Sequence, residues 1–525
     1  MIMISTYFCF MKRYIQPFEQ YLAILELTHL AHATPDKQKN NLYLIATETS
    51  IDTLCSKLAY WEKISTSIDG TNAIFTQQVK YESGNKFSIF ASAIPTGSEK
   101  NIIASRRNLR YGSHGIHEYR GKFFPQLVRS LLNISDLVPN SIVLDPMCGS
   151  GTTLVEASLL GYNTIGIDLN PLSVLISQAK TAILTLSVAE FSQAFTAWRK
   201  KLESKEAPCE SWKSRLPAKD KEYLANWFTA DTFTQLNLLM SKISQVDHYQ
   251  CKLLFTVALS NIIRKISFQN DDDLRVRKQI NEKKWDVLSE FKIEVTRSWN
   301  SIHSLLQETE DLTLGEVTTI LGDGRKADHL LKNYLGKVDC IITSPPYATA
   351  LPYLDTDRLS LYFLHLLSRK DHRSHDFLMI GNREITDTLR KEYWSYYVSN
   401  KNTLPTQITD LIDLIDSLNL NSNVGFRRKN LSALLAKYFF DMKAVLEKMF
   451  ILLKHGAPAY IVVGNNHTIA GGQRIDIRTN ELIALLGNAV GFQCIDNISM
   501  EMLPSRDIFK KNASNAESII FLRKE

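Results

Sequence analysis

The chain has 525 residues, 44% hydrophobic and 22% charged, which is ordinary globular usage with room for several domains and a sizeable core. A net charge of +6 and a pI near 8.7 make a polyanion such as nucleic acid only a weak favourite as partner. The seven cysteines (Cys9, Cys55, Cys148, Cys209, Cys251, Cys340 and Cys494) are scattered, odd in number and form no CxxC pair. That argues against a zinc site or a disulfide framework, and for a reducing compartment.

The apolar start MIMISTYFCF precedes its charges, Lys12 and Arg13, the reverse of a signal peptide. No apolar stretch of about 18 residues follows. The chain is therefore expected to be soluble and cytoplasmic. Residues 1–100 are predicted to form a small α/β domain. A helical face runs through Tyr21, Leu22, Leu25 and Leu27, followed by a strand over 42–46 and a helix over 51–59. Pro95, Gly97 and Ser98 mark a linker.

From residue 141 the pattern alternates. A strand over 141–144 ends in Asp145, a helix over 152–160 is closed by Gly161, and a strand over 164–167 ends in Asp168. Residues 185–312 read as mostly helical. A strand is predicted over 338–342, and 349–430 is mixed and polar. Leu431 to Leu453 repeat at helical spacing up to Gly456, and 460–463 is a strand. The fold class is α/β, with a mostly parallel sheet covered on both faces and two long insertions.

The segment Asp145-Pro146-Met147-Cys148-Gly149-Ser150-Gly151-Thr152-Thr153 joins a strand to a helix. Its glycines allow a sharp turn and close approach of a ligand. Asp168 lies 23 residues after Asp145, at a strand end where carboxylates meet ribose hydroxyls. Leu154 stands where a dinucleotide turn needs its third glycine, so an adenosine-type ligand without pyrophosphate fits better. A turn with two glycines and no ligand is the bland reading.

The second segment, Thr343-Ser344-Pro345-Pro346-Tyr347, follows the 338–342 strand. Two prolines lack N–H groups and fix φ, so the turn presents carbonyl oxygens, and Ser344 before a proline is held extended. Alone, this could be an ordinary proline-rich turn. After a strand and downstream of the glycine turn, it reads as an acceptor cluster at a ligand crevice.

DPMCGSGT and SPPY resemble the motifs of the amino-methyltransferases that modify DNA bases. The resemblance covers about residues 105–184 and 313–525. It implies a Rossmann-like methyltransferase with a cofactor-binding half (101–184) and a catalytic half (313–525). No motif covers the helical insertion (185–312) or the insertion at 349–430, and one or both of them are expected to supply target recognition. It implies S-adenosylmethionine as cofactor, held by Asp145, Pro146, Cys148, Gly149, Gly151, Thr152, Asp168, Leu169, Asn170 and Asp323. Tyr119, Lys122, Phe123 and Pro125, in HGIHEY…KFFP, would close over its methionine end. His114 and His117 in that segment are given no catalytic role. Ser344, Pro345, Pro346 and Tyr347 would be catalytic: the Ser344 side chain and the Pro345 carbonyl accept from the target amine, and Tyr347 stacks on a flipped base. No metal is implied. Serine at the head of SPPY leans towards cytosine-N4, with adenine-N6 second and an RNA base amine third. A non-catalytic binding module and a dehydrogenase are the rivals from other classes. DNA is the expected partner, and the family leaves room for a restriction-modification or defence partner. Arg106, Arg107, Arg110, Arg264, Lys265, Arg275, Arg277, Lys278, Arg427, Arg428 and Lys429 could neutralise phosphates, or could form solvated faces beside acids such as Asp271, Asp272 and Asp273.

Overall fold

The apolar N-terminal run folds as a strand, β1 (Ser5–Met11), because its side chains alternate, burying Tyr7, Cys9 and Met11 on one face. A computed structural model describes residues 4–13, 15–84, 108–119, 121, 123–204, 208, 210–270, 277–279, 284–348, 353–420, 425–500 and 517–525. β1 is central in an antiparallel sheet with β2 (Asp36–Lys37), β3 (Leu42–Thr47), β4 (Trp61–Ser65) and β5 (Ile74–Phe75), in the order β2-β3-β1-β4-β5. The helix Pro17–Ala31 covers it through Phe18, Leu22, Ala23 and Leu27, whereas Tyr21, expected on the buried face, is exposed. The linker expected at Pro95, Gly97 and Ser98 lies outside the described residues.

The large sheet has seven strands: β6 (Ile142–Asp145), β7 (Asn163–Asp168), β8 (Val317–Leu321), β9 (Cys340–Thr343), β10 (Pro458–Gly464), β13 (Phe492–Met500) and β14 (Glu517–Lys524). Their order is β13-β14-β10-β9-β6-β7-β8. Five adjacent strands run parallel; at one edge β14 is reversed against β10, and β13, antiparallel to β14, runs in the direction of the five again. The helices Thr152–Leu159 and Pro171–Ala182 lie in the crossovers between the parallel strands, and the long helix Leu431–Leu452 leads into β10. A separate hairpin pairs β11 (Asn466–Ala470) with β12 (Gln473–Ile477).

The two sheets share one buried core. Leu22, Trp61 and Ile64 from the N-terminal unit cluster with Val143, Cys340 and Tyr460 from the large sheet. Between them runs the helix Pro125–Ile134, every residue of which is buried. Three of its polar side chains are paired: Asn133 with Glu26, Gln126 with Glu82, and Arg129 with Glu156.

Where described, residues 185–312 are mostly helical, with Val188–Glu203, Ala230–Ser244, Tyr249–Ile263 and Val287–Thr309 as the main elements. They build a second core rich in aromatics, including Phe191, Trp198, Phe255 and Phe291. The stretch that reads as mixed and polar is also helical where described, with Arg358–Phe363, Arg369–Leu378, Asp387–Asn400 and Thr406–Leu420. Among the described residues no helix is long and apolar enough to cross a membrane, and no cluster of His, Cys, Asp and Glu suits a metal ion.

Candidate active site

The chain lays down β6, β7 and β8 outward in one direction, then returns to place β9 on the other side of β6. Connections leaving β6 and β9 therefore diverge, and a crevice opens beyond their carboxyl ends. Asp145 ends β6, Asp168 ends β7 and Thr343 ends β9, so both sequence segments arrive at one cleft. Counting its open mouth, the cleft holds about 1260 Å³, room for a nucleoside-sized ligand with a second planar group beside it.

Asp145 joins the two segments. Its Oδ1 accepts from Thr343 Oγ1 (2.7 Å) and the Met147 amide (3.2 Å), and its Oδ2 accepts from Thr153 Oγ1 (2.8 Å). Burial pushes its carboxyl up to about 7, against the pull of these donors. With both oxygens occupied inside the protein, Asp145 acts as a brace between the 145–152 turn and the 343–347 turn.

The 145–152 turn is shaped by backbone that only glycine tolerates. Gly149 (φ +50°) faces the ring of Tyr119, whose hydroxyl lies 2.9 Å from Ser173 Oγ. Gly151 (φ +78°) opens the helix Thr152–Leu159, and a Cβ there would stand 2.5 Å from Ser177 Cβ on the helix Pro171–Ala182. Gly151→Ala is expected to cost about 1–3 kcal/mol by overpacking and left-handed strain, read as a lower urea midpoint with an unchanged m-value. Asp168 supplies the floor. Its two oxygens accept from the amides of Gly149 and Asn170, each at 2.8 Å, while burial pushes its carboxyl up to about 6. A half-buried carboxylate beside a glycine cradle suits the ribose hydroxyls of an adenosine-type ligand.

Asp323 forms the far wall. Burial disfavours its charge, but the hydrogen bonds and charge of Arg325 outweigh this and hold the carboxyl below its ordinary value. Arg325 grips it through Nε (2.9 Å) and Nη2 (2.7 Å), and also reaches Asp441 Oδ1 and the Leu378 carbonyl. A Cβ on Gly324 would fall 2.6 Å from the Pro146 carbonyl, so this wall packs directly on the first turn.

The helix Arg369–Leu378, from the 349–430 segment, closes this side of the cleft. His375 Nε2 donates to the Leu169 carbonyl (2.7 Å), Asn170 Nδ2 donates to Asp357 Oδ2 (3.0 Å), and Leu378, Met379 and Ile380 line the cleft.

At the second turn, Ser344 Oγ donates to the Val462 carbonyl on β10 (3.0 Å). With its one proton committed there, the hydroxyl can offer the cleft only lone pairs. The prolines beside it carry no N–H, so the turn is acceptor-only at this point. Cys148 and Cys340 are both buried, and burial pushes their thiols up, that of Cys340 to about 12. Neither offers a thiolate nucleophile.

Tyr119, Phe123, Asp145, Pro146, Cys148, Gly149, Thr152, Asp168, Leu169, Asp323 and Ser344 to Tyr347 all line the one cleft. Pro125, Gly151 and Asn170 stand behind it, as helix starts and a cap. Lys122 lies outside the described residues. The reading from sequence missed Leu378 to Ile380, Val462 and Glu517, which also line it. No local pattern marks them, because each is brought in by long-range pairing.

Residues 117–203 match the family model described as RMKL-like, methyltransferase domain. The chain is 23% identical over 437 residues to the type II methyltransferase M.BsoBI of Geobacillus stearothermophilus, covering 75% of this chain and 82% of that one. It is 22% identical over 383 residues to the type II methyltransferase M.MvaI of Kocuria varians, covering 68% and 78%. A shorter match, 38% over 52 residues, covers 10% of this chain and 16% of a tRNA (guanine(10)-N2)-dimethyltransferase of Methanothermobacter thermautotrophicus. The chain is thus similar to methyltransferases, and to type II methyltransferases over most of its length.

Several cations that could face phosphates are already engaged. Arg110 pairs with Glu118 and Lys265 with Glu290, while Lys278 lies over the Phe268 ring. Arg428 and Lys429 are exposed at the start of the long helix. Arg106, Arg107, Arg275 and the Asp271 to Asp273 run lie outside the described residues, as does the side chain of Arg427. His114 and His117 are buried in packing roles, His114 on Glu156 and His117 on Ser260.

Proposed function

We propose that the enzyme methylates an exocyclic amine of a DNA base, cytosine-N4 first. The observation that carries this reading is the Ser344 hydroxyl, turned by Val462 into a pure acceptor beside two prolines and a tyrosine. An amine conjugated to a base ring is a poor nucleophile, since its lone pair is delocalised. Acceptors at Ser344 Oγ and the Pro345 carbonyl would hold its two hydrogens and favour a pyramidal nitrogen with that pair free. Bound S-adenosylmethionine supplies an electrophilic methyl group on a cationic sulfur. The residues otherwise orient: Tyr347 offers a ring face to a base taken out of its stack, and Asp168, Asp323 and the 145–152 turn hold the cofactor. The high-lying thiols of Cys148 and Cys340 speak against attack through a covalent cysteine adduct.

Similarity to two type II methyltransferases over more than two thirds of the chain supports DNA as substrate. The 52-residue match to a tRNA dimethyltransferase favours an RNA base amine as the second reading. Parts of 185–312 and 349–430 would then carry target readout. The deciding experiment supplies isotopically labelled S-adenosylmethionine with DNA or total RNA and identifies the labelled nucleoside by mass spectrometry. N4-methylcytosine in DNA is the expected product. N6-methyladenine keeps the mechanism and changes the base, and label confined to RNA overturns the DNA assignment.

Ribose hydroxyls donate to a carboxylate, so the cofactor competes with a proton at Asp168, whose value in the free protein is about 6. Affinity is therefore lost as pH falls through that value. Above about pH 7 it should be flat, and below about pH 6 it should drop towards tenfold per unit. Calorimetric titration from pH 8 to 5 checks this. Asp168→Asn should bind weakly throughout and lose the slope.

A further inference from the structure

Glu517, the first residue of β14, has no part in either sequence segment, yet it reaches the cleft 170 residues away in sequence from Tyr347. Strand pairing explains how. Glu517 stands opposite Gly464, the last residue of β10, in the antiparallel β10–β14 ladder. The Tyr347 ring lies on Gly464, where a Cβ would sit 2.7 Å from ring atom Cε2. The Tyr347 hydroxyl crosses to the next strand and donates to Glu517 Oε1. The tyrosine backbone is held as well. A Cβ on Gly381 would stand 2.6 Å from the Tyr347 carbonyl, and Asn466 Nδ2 donates to the Ala348 carbonyl at 3.1 Å. The ring thus has a floor at Gly464, an anchored backbone and a tether at its far end.

A tyrosine tethered only by its backbone turns about χ1 and χ2, and its ring plane is then not set in advance. A stacking surface for a flipped base works best when that plane is fixed beforehand, since ordering it on binding costs affinity. The hydroxyl tether acts on the far end of the ring.

We propose that Glu517 is a positioning residue that fixes the plane of the Tyr347 ring so that an incoming base meets it face-on. The inference rests on the proposed function for what the ring receives, but the tether itself can be read without any reaction. A hydrogen bond to a charged acceptor is worth about 10- to 100-fold when it is removed.

The test compares Glu517→Ala, Glu517→Gln, Tyr347→Phe and the double variant Tyr347→Phe/Glu517→Ala. Glu517→Ala should lower kcat/KM for the nucleic acid by about 10- to 100-fold with cofactor affinity and thermal midpoint unchanged. Glu517→Gln keeps an acceptor oxygen and should recover most of the loss. Tyr347→Phe keeps the ring but drops the donor, so it should match Glu517→Ala, and the double variant should fall no further. Losses that multiply in the double variant, or a glutamine no better than alanine, overturn the proposal. Tyrosines labelled with 13C at Cζ give a second reading, with the Tyr347 signal assigned by its loss in Tyr347→Phe. That signal should move in Glu517→Ala and stay close to its original position in Glu517→Gln; an unmoved signal overturns the tether. If the unaltered protein methylates no nucleic acid, the proposed function fails, and the 13C spectra alone decide the tether.

Discussion

Ser344→Ala is expected to lower kcat for methyl transfer by about 10²- to 10³-fold while S-adenosylmethionine binding is unchanged. The magnitude is that of removing one preorganised polar group aimed at the reacting atom. Under the proposed function Ser344 is such a group, its orientation set in advance by donation to the Val462 carbonyl on the neighbouring strand. It is half-buried at a strand end, so losing one hydroxyl leaves the sheet intact. Alanine still precedes a proline and keeps the extended backbone. The loss should therefore appear in kcat, measured at saturating nucleic acid, with calorimetric cofactor affinity as the control. A variant that loses cofactor affinity in proportion would mean that Ser344 serves the cofactor turn through Thr343 and Asp145 instead.

The site was legible in sequence where the chemistry is local. A buried parallel strand reads as a short apolar run, and its ligand turn must follow at once with glycines or prolines, so 141–152 and 338–347 announce themselves. The brace between them was not legible. Asp145 is recognisable as the head of a glycine turn, but its bond to Thr343 crosses 198 residues and exists only because β6 and β9 are neighbours. Glu517 and Val462 were hidden for the same reason: each takes its meaning from register with a partner strand. The helix Arg369–Leu378 was illegible for another cause. Only His372 and Asp376 on it are buried, so it lacks the apolar stripe by which a helix is read, and it is placed by hydrogen bonds such as that of His375 to Leu169. The histidines of HGIHEY, given no catalytic role from sequence, are packing groups in the structure: His114 pairs with Glu156 beneath the cleft.

That packing carries the largest expected effect on stability. Glu156, on the helix that follows the glycine turn, is fully buried and collects three donors: Arg129 Nε at 2.9 Å, Tyr111 Oη at 2.6 Å and His114 Nε2 at 2.7 Å. Arg129 also donates to the Ser56 carbonyl and lies over the Tyr81 ring, so the cluster ties the N-terminal unit to the crossover helix. Burial opposes the charge on Glu156, but Arg129 first and then His114 outweigh it and hold the carboxyl below its usual value. Glu156→Gln leaves the Arg129 guanidinium buried without its counter-charge, and should cost about 3–5 kcal/mol. Arg129→Met should cost a similar amount by stranding the carboxylate. Removing both together should cost less than the sum, because neither charge is then left alone. Urea denaturation of the three variants measures this. Because the Glu156 value is lowered on folding, its contribution is present at neutral pH and lost as pH falls through the folded value. The gap between Glu156→Gln and the unaltered protein should accordingly narrow in acid. A gap constant with pH would mean that packing, and not the charge of Glu156, holds this junction together.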